Sequence, residues 1–303
     1  MKRLDHFTHT DLDGVGCAVL STLTMITNNT ELFIHYVNYE EVNEAVMECL
    51  EQNQSDFILI TDISVNAEVA EALDAWSVDH ALMLVDHHPN LPEALLSKKW
   101  ARVDASGNHC GTSLLYSIIL ADVGGIDNQC LDSFVDAVRQ YDLWQFDKTT
   151  RNLPRDLNML RYMMSENGFI QLMKTLIGNY PHSTMFFPYT VRDILDAKYN
   201  EEERYCRDKA LAAVEVIYNG HKGRAIHADS YISQVGHAIL EMYNDAEFAA
   251  IVKLPSVSLR SRDNCIDVGL EIAKHFGGGG HPHAAGFTLK HIPESMLTSI
   301  FEE

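Results

Sequence analysis

The first part of the chain alternates two kinds of apolar pattern. Short continuous runs at Leu4–Thr8, Leu32–Val37, Phe57–Thr61 and Ala81–Val85 predict buried strands. Between them, Gly14–Thr27, Glu40–Gln52 and Ala67–Trp76 carry helical spacing; in the second of these, Val42, Ala45, Val46, Cys49 and Leu50 share one face. Strict alternation of strand and helix predicts the α/β class, with a parallel sheet wrapped by helices on both faces. Helical patterns follow at Cys110–Arg139 and Asn152–Ile177, and then an aromatic break, Met185-Phe186-Phe187, between Pro181 and Pro188. Val191–Tyr218 reads as one long helix, dense in charge around Asn200–Lys209. Beyond Gly220, strands at Gly223–His227, Ala249–Val252, Ser256–Arg262 and Phe287–Leu289 surround helices near Val235–Tyr243 and Val268–Phe276, a smaller α/β domain. The boundaries expected are 1–188, a helical linker over 189–220 that serves as a hinge, and 221–303.

A chain of 303 residues is long enough for two such cores. Its net charge of −20 argues against a protein that coats long nucleic acid, but leaves room for a small anion in a locally cationic pocket. No apolar run reaches the length of a membrane span, and Met1-Lys2-Arg3-Leu4-Asp5 does not lead into a signal-peptide core. The six cysteines form no C-x-x-C pair, so reduced thiols and a cytoplasmic setting are expected.

The candidate chemistry lies at the ends of the strands, where open α/β sheets carry their ligand sites. His9-Thr10-Asp11-Leu12-Asp13, Asp62 and Asp86-His87-His88 each close an apolar run. A lone aspartate there is accounted for by helix capping. The whole set is not, because crowded carboxylates and imidazoles call for a cation. Mixed oxygen and nitrogen donors suit Mn²⁺ better than zinc-thiolate chemistry. In His9-x-Asp11-x-Asp13 alternate side chains can reach one side, Asp62 has two oxygens with which to bridge two ions, and His87 and Asp142 could complete the second. Gly277-Gly278-Gly279-Gly280-His281 is the other distinctive stretch; with no Cβ in the way, its amides can approach a phosphate. Arg260 and Arg262 share a strand face and could grip a phosphate, with ordinary surface charge the competing account for Arg262. Gly111-Thr112-Ser113 reads as an ordinary helix start rather than an anion site.

Asp86-His87-His88 after a hydrophobic strand, with His9-x-Asp11-x-Asp13 upstream, resembles the DHH phosphoesterase superfamily. Gly277–Gly286 resembles the GGGGH-x-x-A-A-G signature of the DHH-associated substrate-binding domain, and Ser258, Arg260 and Ser261 match the Ser-x-Arg-Ser run that precedes it. The resemblance covers nearly the whole chain. It implies two Mn²⁺, with Co²⁺ or Mg²⁺ as alternatives: His9 and Asp11 hold the first, Asp62 bridges, and Asp13, His87 and Asp142 hold the second. Asp86 would orient a ligand imidazole, and His88 would face the scissile phosphate. Relatives carry an Asp-Thr-Gly at the fourth motif where this chain has Tyr141-Asp142-Leu143-Trp144, and Asp136 and Asp147 stand nearby as alternatives. Arg260, Arg262, Gly278, Gly279, Gly280 and His281 would bind substrate. A compact DHH domain followed by the GGGGH domain is most similar to the nanoRNases of the NrnA and NrnB type, nearer NrnB. The implied activity is hydrolysis of short oligoribonucleotides to mononucleotides by water activated on two metals, extending to 3′,5′-bisphosphorylated nucleotides. Cyclic nucleotides, linear dinucleotide signals and polyphosphate are the alternative substrates, and a non-catalytic nucleotide sensor is the alternative from another class. Relatives often pair, so a homodimer is among the expected assemblies.

Overall fold

The computed structural model describes residues 1–26, 29–89, 91–123, 125–147, 150–263 and 265–290. The chain divides into two compact units, Met1–Leu195 and Asp196–Glu303.

In the first unit β1 (Lys2–Thr8), α1 (Leu12–Thr24), β2 (Thr30–Tyr36), α2 (Val42–Gln52), β3 (Phe57–Thr61), α3 (Ala67–Trp76) and β4 (Ala81–Asp86) alternate as the apolar pattern predicts. Thr27, the expected end of the first helix, lies outside the described residues. A short α4 (Glu93–Leu96) and β5 (Ala101–Val103) follow, then α5 (Gly111–Val123), α6 (Gln129–Asp142), α7 (Leu153–Met163) and α8 (Glu166–Asn179). All five strands run parallel in the order β2-β1-β3-β4-β5. The chain passes from β1 to β2 on one side and then returns across β1 to form β3 on the other, so the sheet has its topological switch beside β1, the place where such sheets open a crevice. Phe7, Ile58, Ile60 and Leu84 bury one face of the sheet against α2 and α3. On the other face Val85 joins Val15, Val19, Leu115, Phe134 and Phe169 from the remaining helices.

The register sets the site. Thr8 lies opposite Thr61, and Thr61 opposite Val85, so three strands end in one row. His9, Asp62 and Asp86 are each the next residue along, and the sheet therefore delivers them side by side.

The 23-residue α9 (Tyr189–Leu211) contains the boundary between the units; its Leu195 belongs to the first core and its Cys206 and Ala210 to the second. The second unit holds β6 (Val214–Tyr218), β7 (His221–His227), α10 (Ile232–Met242), β8 (Phe248–Lys253), β9 (Ser256–Ser261), β10 (Gly279–His281) and β11 (Ala284–Thr288) in a mixed sheet, β10-β11-β9-β8-β7-β6. The expected helix over Val191–Tyr218 therefore stops at Leu211. Val214-Glu215-Val216-Ile217-Tyr218 is β-branched and pairs with β7 through Asn219-Gly220, both at positive φ (50° and 88°). An Asn-Gly pair of that kind is a strong hairpin signal, and it outweighs the helical spacing before it. The helix expected over Val268–Phe276 is also broken, into a wide turn at Val268–Ile272 and a tight one at Ala273–Phe276. Gly269 lies so close to the carbonyls of Gly280 and His281 (2.9 Å from where a Cβ would stand) that the backbone there follows the hairpin rather than a regular helix.

Candidate metal centre

His9 and Asp11 come from the turn between β1 and α1. Asp11 is the N-cap of α1: its Oδ1 accepts from Gly14 N–H (3.0 Å), while Oδ2 stands 3.1 Å from His9 Nδ1. Capping and ligation are thus not competing accounts of this residue, since one oxygen serves each. Gly14 makes the turn feasible, because a Cβ there would lie 2.2 Å from the His9 carbonyl.

Asp13 is buried at the start of α1, and both of its oxygens are held by the N-terminus of α5: Gly111 N–H donates to Oδ2 (2.6 Å) and Thr112 N–H to Oδ1 (2.8 Å). Gly111-Thr112-Ser113 is therefore a helix start that does bind an anion, the carboxylate of the chain itself. Thr112 Oγ1 adds a bond to the Asp13 carbonyl (2.7 Å).

Asp62 follows β3 in the left-handed region, with φ of 56°. Aspartate tolerates that conformation better than most residues but still at a cost, and such strain clusters at functional sites. Its two oxygens face different groups. Oδ1 is 3.3 Å from His87 Nε2, and Oδ2 is 3.9 Å from His9 Nδ1. His87 Nε2 is also 3.6 Å from Asp13 Oδ2 and 3.5 Å from Asp142 Oδ2. Asp142 is the last residue of α6. The neighbouring Asp136 bonds Arg139 and Gln140, and Asp147 accepts from Thr150, so both are engaged elsewhere.

Among the described residues, three groups of potential ligand atoms result, each within 4.8 Å: His9, Asp11 and Asp62; Asp13, His87 and Asp142; Asp62, His87 and His88. The charge balance of the site is abnormal without a cation. Burial, reinforced by the Asp13 and Asp11 carboxylates, pushes Asp62 well above the usual carboxylate range. The same causes push Asp142 up to about 7. Asp11 resists burial because the His9 ring and the Gly14 amide hold it down to about 2. His9 Nδ1, Asp62 Oδ2 and His87 Nε2 are buried with no hydrogen-bond partner. Orphaned polar atoms of this kind cost roughly 1–3 kcal/mol each. All three are metal-ligating atom types, and each belongs to a residue of the ligand groups above, so the residues present fit divalent cations.

Asp86 orients a ring, but the ring is that of His88. Its Oδ1 accepts from His88 Nδ1 (2.7 Å) and from the His87 amide (2.7 Å), and Ser64 Oγ donates to Oδ2. This pairing raises His88 above the usual imidazole range. His88 Nε2 reaches the hydroxyl of Tyr39, 3.0 Å away. Burial and the surrounding carboxylates push that phenol up to about 12, so it stays protonated. Tyr39, Ser64 and Arg161 had no signal in the sequence. Arg161, buried on α7, donates to the Thr10 carbonyl (2.5 Å) and to Glu166 (2.8 Å), fixing the His9–Asp13 turn from a distant helix.

In the second unit Arg260 is half-buried, with Nη2 on Ser233 Oγ (2.5 Å) and Nη1 on its neighbouring carbonyl (2.8 Å). Gly236 of α10 makes room for its stem. Arg262 falls just past the end of β9, and its guanidinium bonds the carbonyls of Leu240, Tyr243 and Asn244, closing the C-terminal end of α10. The glycine loop is a hairpin edge. A Cβ at Gly278 would fall 2.1 Å from the Gly286 carbonyl, and one at Gly280, at φ 143°, would fall 2.6 Å from Ala285 Cα. The Gly278 amide already donates to Ala273 (2.8 Å). Gly279 has open space around it, and His281 is exposed.

One substitution tests how tightly the first unit is built. At Gly111 a Cβ would stand 2.9 Å from Asp62 Cβ and 3.0 Å from Asp13 Oδ2. Gly111→Ala would ordinarily favour a helix by up to about 1 kcal/mol. Here it is expected to displace Asp13 and weaken Mn²⁺ binding, measured calorimetrically, by roughly 10- to 100-fold. Unchanged affinity would mean that Asp13 does not need its seat on α5.

No family model matches the chain. In sequence it is 31% identical over 296 residues to oligoribonuclease NrnB of Bacillus subtilis (strain 168), spanning 93% of this chain and 72% of that protein. It is 24% identical over 348 residues to a 3′,5′-cyclic-nucleotide phosphodiesterase of Helicobacter pylori, spanning 98% of this chain and 95% of the relative. Among solved structures it is similar in fold to exonuclease RecJ bound to manganese, with a TM-score of 0.55, 17% identity, and coverage of 99% of this chain and 88% of that one. Since the identity to the Bacillus protein runs through both units, the chain belongs to the oligoribonuclease NrnB family of DHH phosphoesterases.

Proposed function

We propose that this protein is a Mn²⁺-dependent phosphodiesterase that hydrolyses short oligoribonucleotides to mononucleotides. The observation that carries the reading is Asp62, whose two oxygens face two separate sets of imidazole and carboxylate ligands. His9 and Asp11 would hold one ion, Asp13, His87 and Asp142 the other, with Asp62 between them. Two divalent cations, when bound, supply charge neutralisation at a phosphoryl group and acidify an attacking water.

The chain's own residues do the rest. Asp86 fixes the His88 ring through Nδ1 and keeps it cationic to higher pH, so Nε2–H can be offered to a phosphoryl oxygen as charge develops there. Tyr39, which meets Nε2 at 3.0 Å, holds that ring in place when no phosphate is present. Within the second unit, Arg260, the Gly279 and Gly280 amides and His281 are the groups assigned to substrate binding. Arg262 and the Gly278 amide are occupied within their own unit and contribute by shaping it. The reading includes a cytoplasmic setting, in keeping with six free thiols, five of them buried. Among the described residues no helix is long and apolar enough to cross a membrane. Pairing into a homodimer belongs to the same reading.

The test is a length series of end-labelled RNAs, from two to about 24 nucleotides, with Mn²⁺. Fast turnover of the shortest substrates that fades with length and stops on chelation is expected. No release from any RNA by protein that retains its metal would overturn the reading. Likeness to the Helicobacter phosphodiesterase favours one second reading, a cyclic-nucleotide phosphodiesterase. Cleavage of 3′,5′-cyclic AMP or GMP in preference to dinucleotides would select it.

A further inference from the structure

Beside the metal centre, within the first unit, lies a pocket of about 220 Å³ with two kinds of wall. Asp11, Asp13 and Asp142 form its inner side, and all three are also members of the ligand groups described above. Tyr141, Trp144 and Tyr162 supply an aromatic part of the lining. The pocket is smaller than the cavities that enclose a whole drug-sized ligand, roughly 300–1,000 Å³. It suits one ring system of a larger molecule.

The aromatic wall is a built feature. Tyr141 and Trp144 each stack with Phe146, centroids 5.1 and 6.1 Å away and planes tilted by 13° and 23°. Trp144 is nevertheless 61% exposed, and Tyr162 is 69% exposed. Trp144 also sits in the left-handed region, at φ 57°, which is costly for a bulky side chain. An exposed indole that lines the pocket and stacks on Phe146 offers a platform at its mouth. Arg161 ties this wall to the metal site: it bonds the Thr10 carbonyl of the ligand-bearing turn, and its guanidinium lies 5.8 Å from the ring of Tyr162, its neighbour on α7.

Chemistry narrows the occupant. The acidic inner wall repels a second phosphate, so the ring entering the pocket must be uncharged. It must also be joined to a phosphorus at the ligand groups, since the two sites share Asp11, Asp13 and Asp142. Aromatic faces accept any base because every base has a π-face. The Asn158 amide, which also lines the pocket, offers both a donor and an acceptor to a base edge or a ribose hydroxyl.

We propose that this pocket is a nucleobase subsite, taking the base of the nucleoside whose phosphate is held at the metal centre, with Trp144 and Tyr162 as its stacking surfaces. The assignment rests on the phosphodiesterase reading and deepens it by making the substrate a nucleotide of any base rather than a bare phosphate chain such as polyphosphate.

Two measurements test it. The first needs no turnover: Mn²⁺-loaded protein is titrated with AMP and, in parallel, with ribose 5-phosphate while tryptophan fluorescence is read. Quenching by AMP alone, lost in Trp144→Phe, is expected; Trp76 and Trp100 remain as the background. Equal responses to the two ligands would overturn the subsite. The second compares ApA with its counterparts carrying an abasic sugar at one position or the other. Trp144→Ala is expected to raise KM for ApA by roughly 5- to 150-fold, with most of the loss in KM rather than kcat. Trp144→Phe should recover most of it, and one of the abasic substrates should respond far less to the alanine change. If ApA and both abasic substrates suffer equally, Trp144 is structural and the proposal fails. If the wild type cleaves no dinucleotide, the oligoribonuclease reading fails, while the AMP titration still decides whether a base binds.

Discussion

Asp62→Asn is expected to lower turnover of a dinucleotide at least about a thousandfold and, in metal-free protein, to raise the melting temperature. The two effects have one cause. Asp62 is 1% exposed, is repelled by the Asp13 and Asp11 carboxylates, and leaves Oδ2 without a hydrogen-bond partner. Without cations the fold bears the cost of that carboxyl, and an amide carries no charge to bury. Asparagine is also among the few side chains that accept a φ of 56°, so the backbone conformation survives; Asp62→Ala would add strain and confuse the comparison. Adding Mn²⁺ should reverse the order. At a hundred times its dissociation constant, a ligand that binds only the native state stabilises by about 2.7 kcal/mol, and the wild type should gain on that scale while Asp62→Asn gains little. Thermal shift with and without Mn²⁺ reads all of this. A variant that melts lower than the wild type in chelator, or that keeps the full Mn²⁺ shift, would remove Asp62 from between the two ions.

Much of the first unit was legible because its information is local. Continuous apolar runs fix the strands, and the residue after each run is a ligand candidate because strand ends in one register row form one edge. The pattern thus brought His9, Asp62 and His87 together without contact information. What sequence reading missed comes from far along the chain. Arg161 bonds Thr10 across 151 positions, and the α5 amides bond Asp13 across 98 and 99. Periodicity says which face of α7 or α5 is buried, not which loop its polar groups will meet. Tyr39 and Trp144 escaped for another reason: an exposed aromatic in a connecting segment carries no periodic signal at all. The glycine loop was legible as unusual, yet its chemistry was read outward. Gly278 and Gly280 are also required by the hairpin itself, whose strands approach too closely for any Cβ. Val214–Tyr218 was misread because helical spacing was extended past Ala212-Ala213, when the decisive cue was the Asn219-Gly220 turn that follows.

The second large effect is an acid sensitivity seated beneath the site. His6 is fully buried on β1, its Nδ1 2.9 Å from Ser21 Oγ on α1 and its Nε2 2.8 Å from Thr61 Oγ1 on β3. Thr61 in turn donates to Thr8 (2.8 Å), so one ring braces the two strand ends that carry His9 and Asp62. Burial, with a smaller contribution from the charge of His35, lowers His6 from 6.5 to about 3. The folded protein therefore holds a neutral ring where the unfolded chain takes up a proton below 6.5. The stability from this difference is fully present above pH 6.5 and is lost as pH falls from there towards 3. At pH 5 the loss is about 2 kcal/mol, from 1.36 kcal/mol per unit. His6→Gln keeps an amide near Thr61 and carries no proton to lose or gain. It should be the less stable protein at pH 7.5, because it packs the site less well, and its deficit should shrink by about 2 kcal/mol at pH 5. Denaturant melts at the two pH values give the comparison, and the other acids cancel in the difference. Parallel pH dependence in the two proteins would mean that the ring is protonated in the fold. In the expected case, the ring between the strand ends stays neutral in the fold down to about pH 3, and acid acts through the proton that the unfolded chain takes up.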